Sequence, residues 1–339
     1  MKTAVVLFNL GGPDDVSAIR PFLFNLFNDP AIIRVPKVFR YLLAQLISRK
    51  RAPVAAKIYD HLGGKSPLLE NTRAQATALQ TLLGQEFQTF ICMRYWHPMT
   101  EAVVQDVISF APDRIVLLPF YPQFSTTTTA SSVKQWQAVA GKQGLSVPTI
   151  TACCYPIHPD WIQAVAVKIA EKVTSFQGMR VLFSAHGLPE SIVKKGDPYQ
   201  WQVEQTVAAV VAALNVPDLD YQICYQSRVG PMTWIGPSTE SEIERAGAEK
   251  KGIVMIPIAF VSEHSETLVE LDIEYRHLAE KAGVPQMIRI DTVGDHPLYI
   301  RALADVVKQS VQENGAFCPP AVRCPENFSG CPCAKKTLK

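Results

Sequence analysis

Residues 256–275 read IPIAFVSEHSETLVELDIEY, and the reading of this stretch decides the fold. The apolar run from Ile256 to Phe260 has the length and composition of a buried strand; beyond it the apolar period changes from two to about 3.6. A strand therefore hands over to a helix. Within that helix Glu266, Glu270 and Glu274 recur at every fourth residue, so their side chains line one face, with His264 at its N-terminal mouth. Two carboxylates roughly 6 Å apart in an effective dielectric of about 20 repel by about 3 kcal/mol, close to two pKa units. Water on an open face dilutes that repulsion, and a cleft does not. An acidic, solvated face is the ordinary explanation of such a row. The alternative is a path for protons or for a hard cation. Position favours the second, because the row begins at the carboxyl end of a strand, where open α/β sheets bind ligands.

Outward from this stretch the same rhythm recurs. Strand-like runs at about 179–185, 220–226, 252–260 and 286–293 alternate with helical patterns at about 199–214, 239–248, 265–281 and 297–313. The first half repeats it, with strands at about 3–10, 87–95, 114–120 and 148–155 and helices at about 17–27, 67–83, 99–109 and 131–140. Alternating strands and helices imply parallel sheets covered on both faces. The expected fold is α/β, with two similar Rossmann-like domains, each a four-stranded parallel sheet flanked by helices. We place the domains at 1–157 and 158–315, with a segment 316–339 that packs back on the first. The 339 residues suffice for two such cores.

Composition excludes several classes. With 47% apolar and 19% charged residues and a net charge of +2, the chain carries no general attraction for nucleic acid. The N-terminal MKTAVVLFNLGGPDD runs into a Gly-Gly-Pro turn without a small-residue cleavage site, so it reads as a first strand and not as a signal peptide. No apolar run approaches the length of a membrane span. A cytoplasmic location follows as the expectation, with the chain a monomer or homodimer. Of the eight cysteines, Cys318, Cys324, Cys331 and Cys333 crowd the C-terminus. In a chain without an export signal, metal ligation explains that group better than a disulfide framework.

Several other stretches supply candidate chemistry. In RVPKVFRYLLAQLISRKR, Val35, Val38, Phe39, Leu42, Leu43 and Leu46 form one apolar stripe, followed by Arg49, Lys50 and Arg51. The stripe either faces the core or meets lipid or a greasy ligand. In KIYDHLGGKSP, Ser66 and Pro67 suit a helix start, and Tyr59, Ser66 and the preceding cations suit carboxylates of a ligand. MRYWHP groups Arg94, Tyr95 and Trp96, a combination fit for a flat anion and equally common in an interface. FSAHGLPES places His186 at a strand's carboxyl end. YQSRVGPMTWIGP brings Met232 and Trp234, apolar surface for a flat ring.

In this order, LGGP at 10–13, GGKSP at 63–67, MRYWHP at 93–98, YPQFSTTTTASS at 121–132, FSAHGLPES at 183–191, GDPY at 196–199, YQSRVGPMTWIGP at 225–237 and AFVSEHSETLVELDIEY at 259–275 resemble the ferrochelatases, which insert ferrous iron into a porphyrin. The resemblance implies a chelatase-like fold and protoporphyrin and Fe²⁺ as substrates. It also implies His186 and Glu266 as the catalytic pair and as metal contacts, with Glu270 and Glu274 continuing the acidic path. Leu10, Arg51, Tyr59, Ser66, Arg94, Tyr95, Met232, Trp234 and His264 border the substrate in this reading. Residues 30–52 form an apolar lip in peripheral contact with the inner membrane. Cys324-x6-Cys331-x-Cys333 resembles the C-terminal set of those family members that carry a [2Fe–2S] cluster, which needs four thiolates. The fourth stays open among Cys318, Cys153 and Cys154, because the 121–132 loop holds no cysteine. Unliganded or zinc-binding thiols are the other explanation of the tail. The competing functions are a chelatase for coproporphyrin or for cobalt or nickel, and a haem-binding carrier, which needs a pocket but no proton path.

Overall fold

A computed structural model of the chain describes residues 1–228, 230, 232–319 and 323–334. It contains two compact units, the first made of Met1–Phe120, Ser125–Cys153 and Leu303–Phe317, the second of Tyr121–Phe124, Cys154–Ala302 and the described residues from Cys318 onward. The segment expected to pack on the first domain therefore divides, and its cysteines belong to the second unit.

In the first unit, β1 (Thr3–Asn9), β2 (Phe87–Met93), β3 (Arg114–Pro119) and β4 (Thr149–Ala152) lie in the order β2-β1-β3-β4, with all pairings parallel. Every residue of TAVVLFN in β1 is buried, as a central parallel strand covered on both faces requires. Val6, Phe8, Val104, Leu117 and Trp136 lie in its core. The sheet has five strands and not the expected four. A two-residue strand, Ala316–Phe317, pairs parallel with β4; two residues carry no readable alternation.

The second unit holds β5 (Met179–His186), β6 (Tyr221–Gln226), β7 (Gly252–Pro257) and β8 (Met287–Arg289) in the order β6-β5-β7-β8, again all parallel; the Ala316–Phe317 strand of the first sheet is β9. The acidic segment departs from the expected α-helix. Glu266–Glu274 is a π-helix, continued by an α-helix over Tyr275–Ala282, and its wider ladder is seen in the Tyr275 N–H donating to the Glu270 carbonyl, five residues back. π-Turns are rare, mostly a single turn long, and concentrated at functional sites. Leu271 and Tyr275 sit in the core with Leu182, Cys224, Ile253 and Met255. That anchorage leaves the acidic side at the strand ends.

The stripe helix also differs from expectation. It spans Lys37–Asp60, running on through Arg49–Arg51 and Pro53. It packs on the helix Ile19–Phe27, and its buried residues are the small Ala44 and Ser48 together with Tyr59. Val38, Phe39, Leu42 and Leu46 stay 70%, 63%, 60% and 52% exposed. Small residues allow close helix approach, so the core-facing reading of the stripe is wrong and the large side chains are left outside.

Candidate active site

His186 is the last residue of β5, and Glu266 opens the π-helix that follows the neighbouring β7. Their approach is close: His186 Nε2 lies 3.8 Å from Glu266 Oε2. His186 Nδ1 is 2.7 Å from the Gly187 carbonyl, an obligate acceptor, so Nδ1 carries the hydrogen and the neutral ring turns its lone pair on Nε2 toward the carboxylate. On the other side His264 Nε2 lies 3.8 Å from the same Glu266 oxygen, with His264 Nδ1 held by the Ser262 carbonyl at 3.1 Å. Burial pushes the Glu266 carboxyl up, but with both imidazoles in their charged forms the charge on His186, a hydrogen bond from His264 and the charge on His264 together bring it down to about 2.

Glu270, the next carboxylate, is held by four donors. Its Oε1 accepts from Ser227 N at 2.9 Å and from Tyr275 Oη at 3.1 Å, and its Oε2 from Gln226 Nε2 at 3.1 Å and from Ser227 Oγ at 2.5 Å. Ser227 takes a left-handed φ of 58°, a conformation that costs energy for a non-glycine residue and here turns both its N–H and its hydroxyl onto one carboxylate. Gln226 closes β6, paired with His186, and its Oε1 is fixed by Ser184 Oγ at 2.8 Å. Burial and the charge of Glu266 raise the Glu270 carboxyl. Tyr275 Oη also lies 3.0 Å from Glu240 Oε1. One phenolic proton thus stands between two carboxylates, an arrangement satisfied when one of them holds a proton. Glu274 is exposed, at the outer end of the row.

The far side of the π-helix is clamped by Arg289 at the end of β8. Its Nε donates to Asp272 Oδ2 and its Nη1 to Glu263 Oε1, each at 2.7 Å. Gln226, Ser227, Tyr275, Glu240 and Arg289 were not singled out from sequence. For Gln226 and Ser227 the available signal is the YQS that opens YQSRVGPMTWIGP at the end of β6.

The remaining candidates are placed as follows. Trp234 pairs by backbone with Pro189, its ring lies close over Gly187, and its Nε1 is buried without a hydrogen-bond partner among the described residues. Met232 is 51% exposed. In the first unit, Tyr59 and Tyr95 are buried with Ile19, Phe22 and Leu23, and Leu10 packs against them. Arg51 stacks on Phe27 at 5.8 Å. Ser66 Oγ accepts the Leu68 N–H at 3.3 Å at a helix start. The expectation that Arg94 and Tyr95 meet a ligand's anionic groups does not fit their geometry: both bind the buried Asp29, at 2.7 Å each. Asp29 already neutralises that guanidinium.

Tail cysteine Cys324 and the remote Cys154 both meet the helix Tyr199–Leu214 at Gln202. Cys154 Sγ is 3.9 Å from Cys318 Sγ, Cys318 is bonded to Cys333, and Cys324 is hydrogen-bonded to Cys331. Gln202 Nε2 reaches Cys154 at 3.3 Å and Cys324 at 3.1 Å. The tail is pinned beside them by the Gly330 N–H on the Gly196 carbonyl at 3.0 Å and by Phe328 against Trp201.

Against known proteins, a ferrochelatase family model matches residues 2–311. The chain is 50% identical over 340 residues to the ferrochelatase of Pelagibacter ubique (strain HTCC1062), covering 98% of this chain and 99% of that one. It is 52% identical over 342 residues to the ferrochelatase of Caulobacter vibrioides (strain NA1000 / CB15N), covering 98% and 97%. The chain belongs to the ferrochelatase family. Its reaction is that of the family, insertion of iron into protoporphyrin, a lyase activity. Among solved structures, the Bacillus subtilis protein described as SirB with Fe³⁺ shares the fold with a TM-score of 0.53 at 15% identity, over 91% of this chain and 96% of that one. The two-sheet α/β expectation agrees with that match. No helix among the described residues is long and apolar enough to cross a membrane.

Proposed function

We propose that His186 Nε2 is the base that takes the pyrrole protons and that Glu266 meets the incoming iron beside it. The observation that carries this reading is the 3.8 Å approach of His186 Nε2 to Glu266 Oε2, with the His186 tautomer fixed by Gly187. A free-base porphyrin keeps two N–H protons, so a metal enters only as those protons leave. Two ligand atoms each about 2.1 Å from one ion lie at most about 4.2 Å apart, which the imidazole–carboxylate gap satisfies; a nitrogen and a carboxylate oxygen also suit Fe²⁺. Met232 and Trp234 supply apolar surface for the bound ring.

The acidic row then divides its work. Glu270, raised by burial and by Glu266, is poised to accept a proton and pass it through the Tyr275 hydroxyl to Glu240. Glu274, at the solvent end, admits hydrated cations. Purified protein, ferrous iron and protoporphyrin under argon, followed by the change in the porphyrin spectrum, test the assignment. His186→Ala abolishes insertion while porphyrin still binds; turnover equal to the unaltered protein refutes the role of His186.

The tail thiols suit a [2Fe–2S] cluster. Cys324, Cys331 and Cys333, with Cys154 as the fourth, make the required thiolate set, once the Cys318–Cys333 pair is reduced. Such a cluster would supply a one-electron redox couple and tie the tail to Cys154. Protein purified without air is then reddish-brown and contains iron and acid-labile sulfide, and a colourless, iron-free preparation contradicts the cluster. The exposed stripe at 38–46, followed by the exposed Arg49, Lys50 and Arg51, suits peripheral contact with an anionic cytoplasmic membrane face.

A further inference from the structure

We infer that Gln202 is a positioning residue of the cysteine site, its carboxamide donating one N–H to each of two cluster sulfurs, those of Cys154 and Cys324, and so setting the cluster's reduction potential and retention. The inference rests on the cluster reading above. Gln202 lies on the first turn of the helix Tyr199–Leu214 and is fully buried. Its orientation is determined by its neighbours: Oε1 accepts the Phe124 N–H at 2.7 Å, and a backbone N–H can only donate, so the carboxamide cannot flip. The amino end must therefore face the sulfurs, at 3.3 Å from Cys154 and 3.1 Å from Cys324. Two amide hydrogens meet two sulfurs.

Hydrogen bonds to cluster sulfurs are among the factors that set iron–sulfur potentials. They stabilise the state with more electron density on sulfur, which is the reduced one, so Gln202 raises the potential. With one N–H on Cys154 and the other on Cys324, Gln202 also keeps Cys154, which lies far from the tail in sequence, in register with the C-terminal thiols before iron arrives. Gln202→Glu keeps the acceptor for Phe124 N–H, removes both donors and adds negative charge. Gln202→Leu removes donors and acceptor at similar volume.

The test is a dithionite titration of the anaerobically purified protein, followed by visible absorption and electron paramagnetic resonance. Both variants are expected to be harder to reduce than the unaltered protein, Gln202→Glu more so than Gln202→Leu. A tenfold loss in the one-electron reduction equilibrium corresponds to about 59 mV. Bleaching of the visible band by an iron chelator is expected to be several-fold faster in both. A folded variant that retains no iron also supports the role. Should Gln202→Leu fail to fold, the isosteric Gln202→Glu decides alone. Unchanged potential and unchanged bleaching in folded Gln202→Glu overturn the inference while leaving the cluster in place. Unaltered protein without iron or sulfide overturns the cluster reading itself.

Discussion

Arg289→Met is the sharpest test of how the fold aims its carboxylates, because Arg289 is remote from His186 yet grips the helix that carries Glu266. Its side chain is 7% exposed, and it faces Glu263 and Asp272, which are 21% and 26% exposed. Asp272 belongs to the π-helix, and Glu263 Oε1 also accepts the Thr292 N–H at 2.7 Å. Methionine keeps much of the volume and deletes the fork. Removing one partner of a buried ion pair typically costs about 3–5 kcal/mol, because the remaining charge is left desolvated. Both carboxylates here keep some contact with water and recover part of their hydration, so the expectation falls to about 2–3 kcal/mol. Urea unfolding of the two proteins at neutral pH measures it. Asp272 keeps Arg276 at 3.1 Å, so the charge stranded is that of Glu263, and Glu263→Gln in the Arg289→Met background returns part of the loss. Because the clamp sets the pitch of the helix, Glu266 also shifts, and a misplacement near 1 Å costs as much as about 100-fold in rate. The turnover number therefore falls while porphyrin affinity holds. Destabilisation below about 0.5 kcal/mol, the range of ordinary surface changes, would refute the clamp, and unchanged turnover with the expected destabilisation would refute its link to the site.

The two glutamates are expected to respond to pH with opposite signs. Glu266, lowered from 4.5 to about 2, adds stability above about pH 4.5 that fades as pH falls toward 2, so Glu266→Gln is destabilising above about pH 4.5 and becomes neutral in strong acid. Glu270, raised by burial and by Glu266, loses stability as pH rises beyond 4.5, so Glu270→Gln gains on the unaltered protein from acid to mild alkali; denaturant midpoints across that range that move in parallel for both variants would count against the assignment. Gly196 has φ +90°, and an added Cβ would lie 2.6 Å from Ser329 Oγ and 2.9 Å from Ser329 N; Gly196→Ala therefore lifts the tail, seen as less iron per chain and faster proteolysis after residue 318. Phe39→Ser with Leu42→Ser removes two exposed apolar side chains, each worth about 1.5–3 kcal/mol on full burial, and at least a tenfold loss of binding to anionic vesicles is expected; undiminished flotation with the vesicles contradicts the lipid contact.

Most of the fold was legible because parallel strands buried on both faces read as short apolar runs, and β1, β3, β5 and β7 are such runs. What escaped was decided by partners distant in sequence. Asp29 sits in an unremarkable NDP, yet its burial beneath Arg94, Tyr95 and Ser131 removes two residues that local chemistry had pointed toward a ligand. Gln202 reads as one more polar position on an amphipathic helix until the cysteines arrive from both sides. The stripe at 38–46 has the period of a core face, and only the small Ala44 and Ser48 on the packed side reveal that another face is inside.

The acidic row shows the same limit at the centre of the chemistry. A spacing of four residues puts Glu266, Glu270 and Glu274 on one line only in an α-helix, and the sequence cannot distinguish that ladder from the wider one. The choice is made outside the segment, by Ser227 and Gln226 holding Glu270 on one side and Arg289 pulling Asp272 on the other. With the ladder widened, Glu270 bonds through its backbone and its side chain to Tyr275, five residues on, and through that hydroxyl its nearest charged neighbour becomes Glu240. A proton leaving Glu270 thus has a hydrogen-bonded exit that does not pass Glu274. Cations entering along the exposed end and protons leaving through the phenol need not cross, and Tyr275→Phe separates them: it is expected to slow turnover without changing the affinity for ferrous iron. Equal slowing by Glu274→Gln and Tyr275→Phe, with the same change in iron affinity, would mean one shared path.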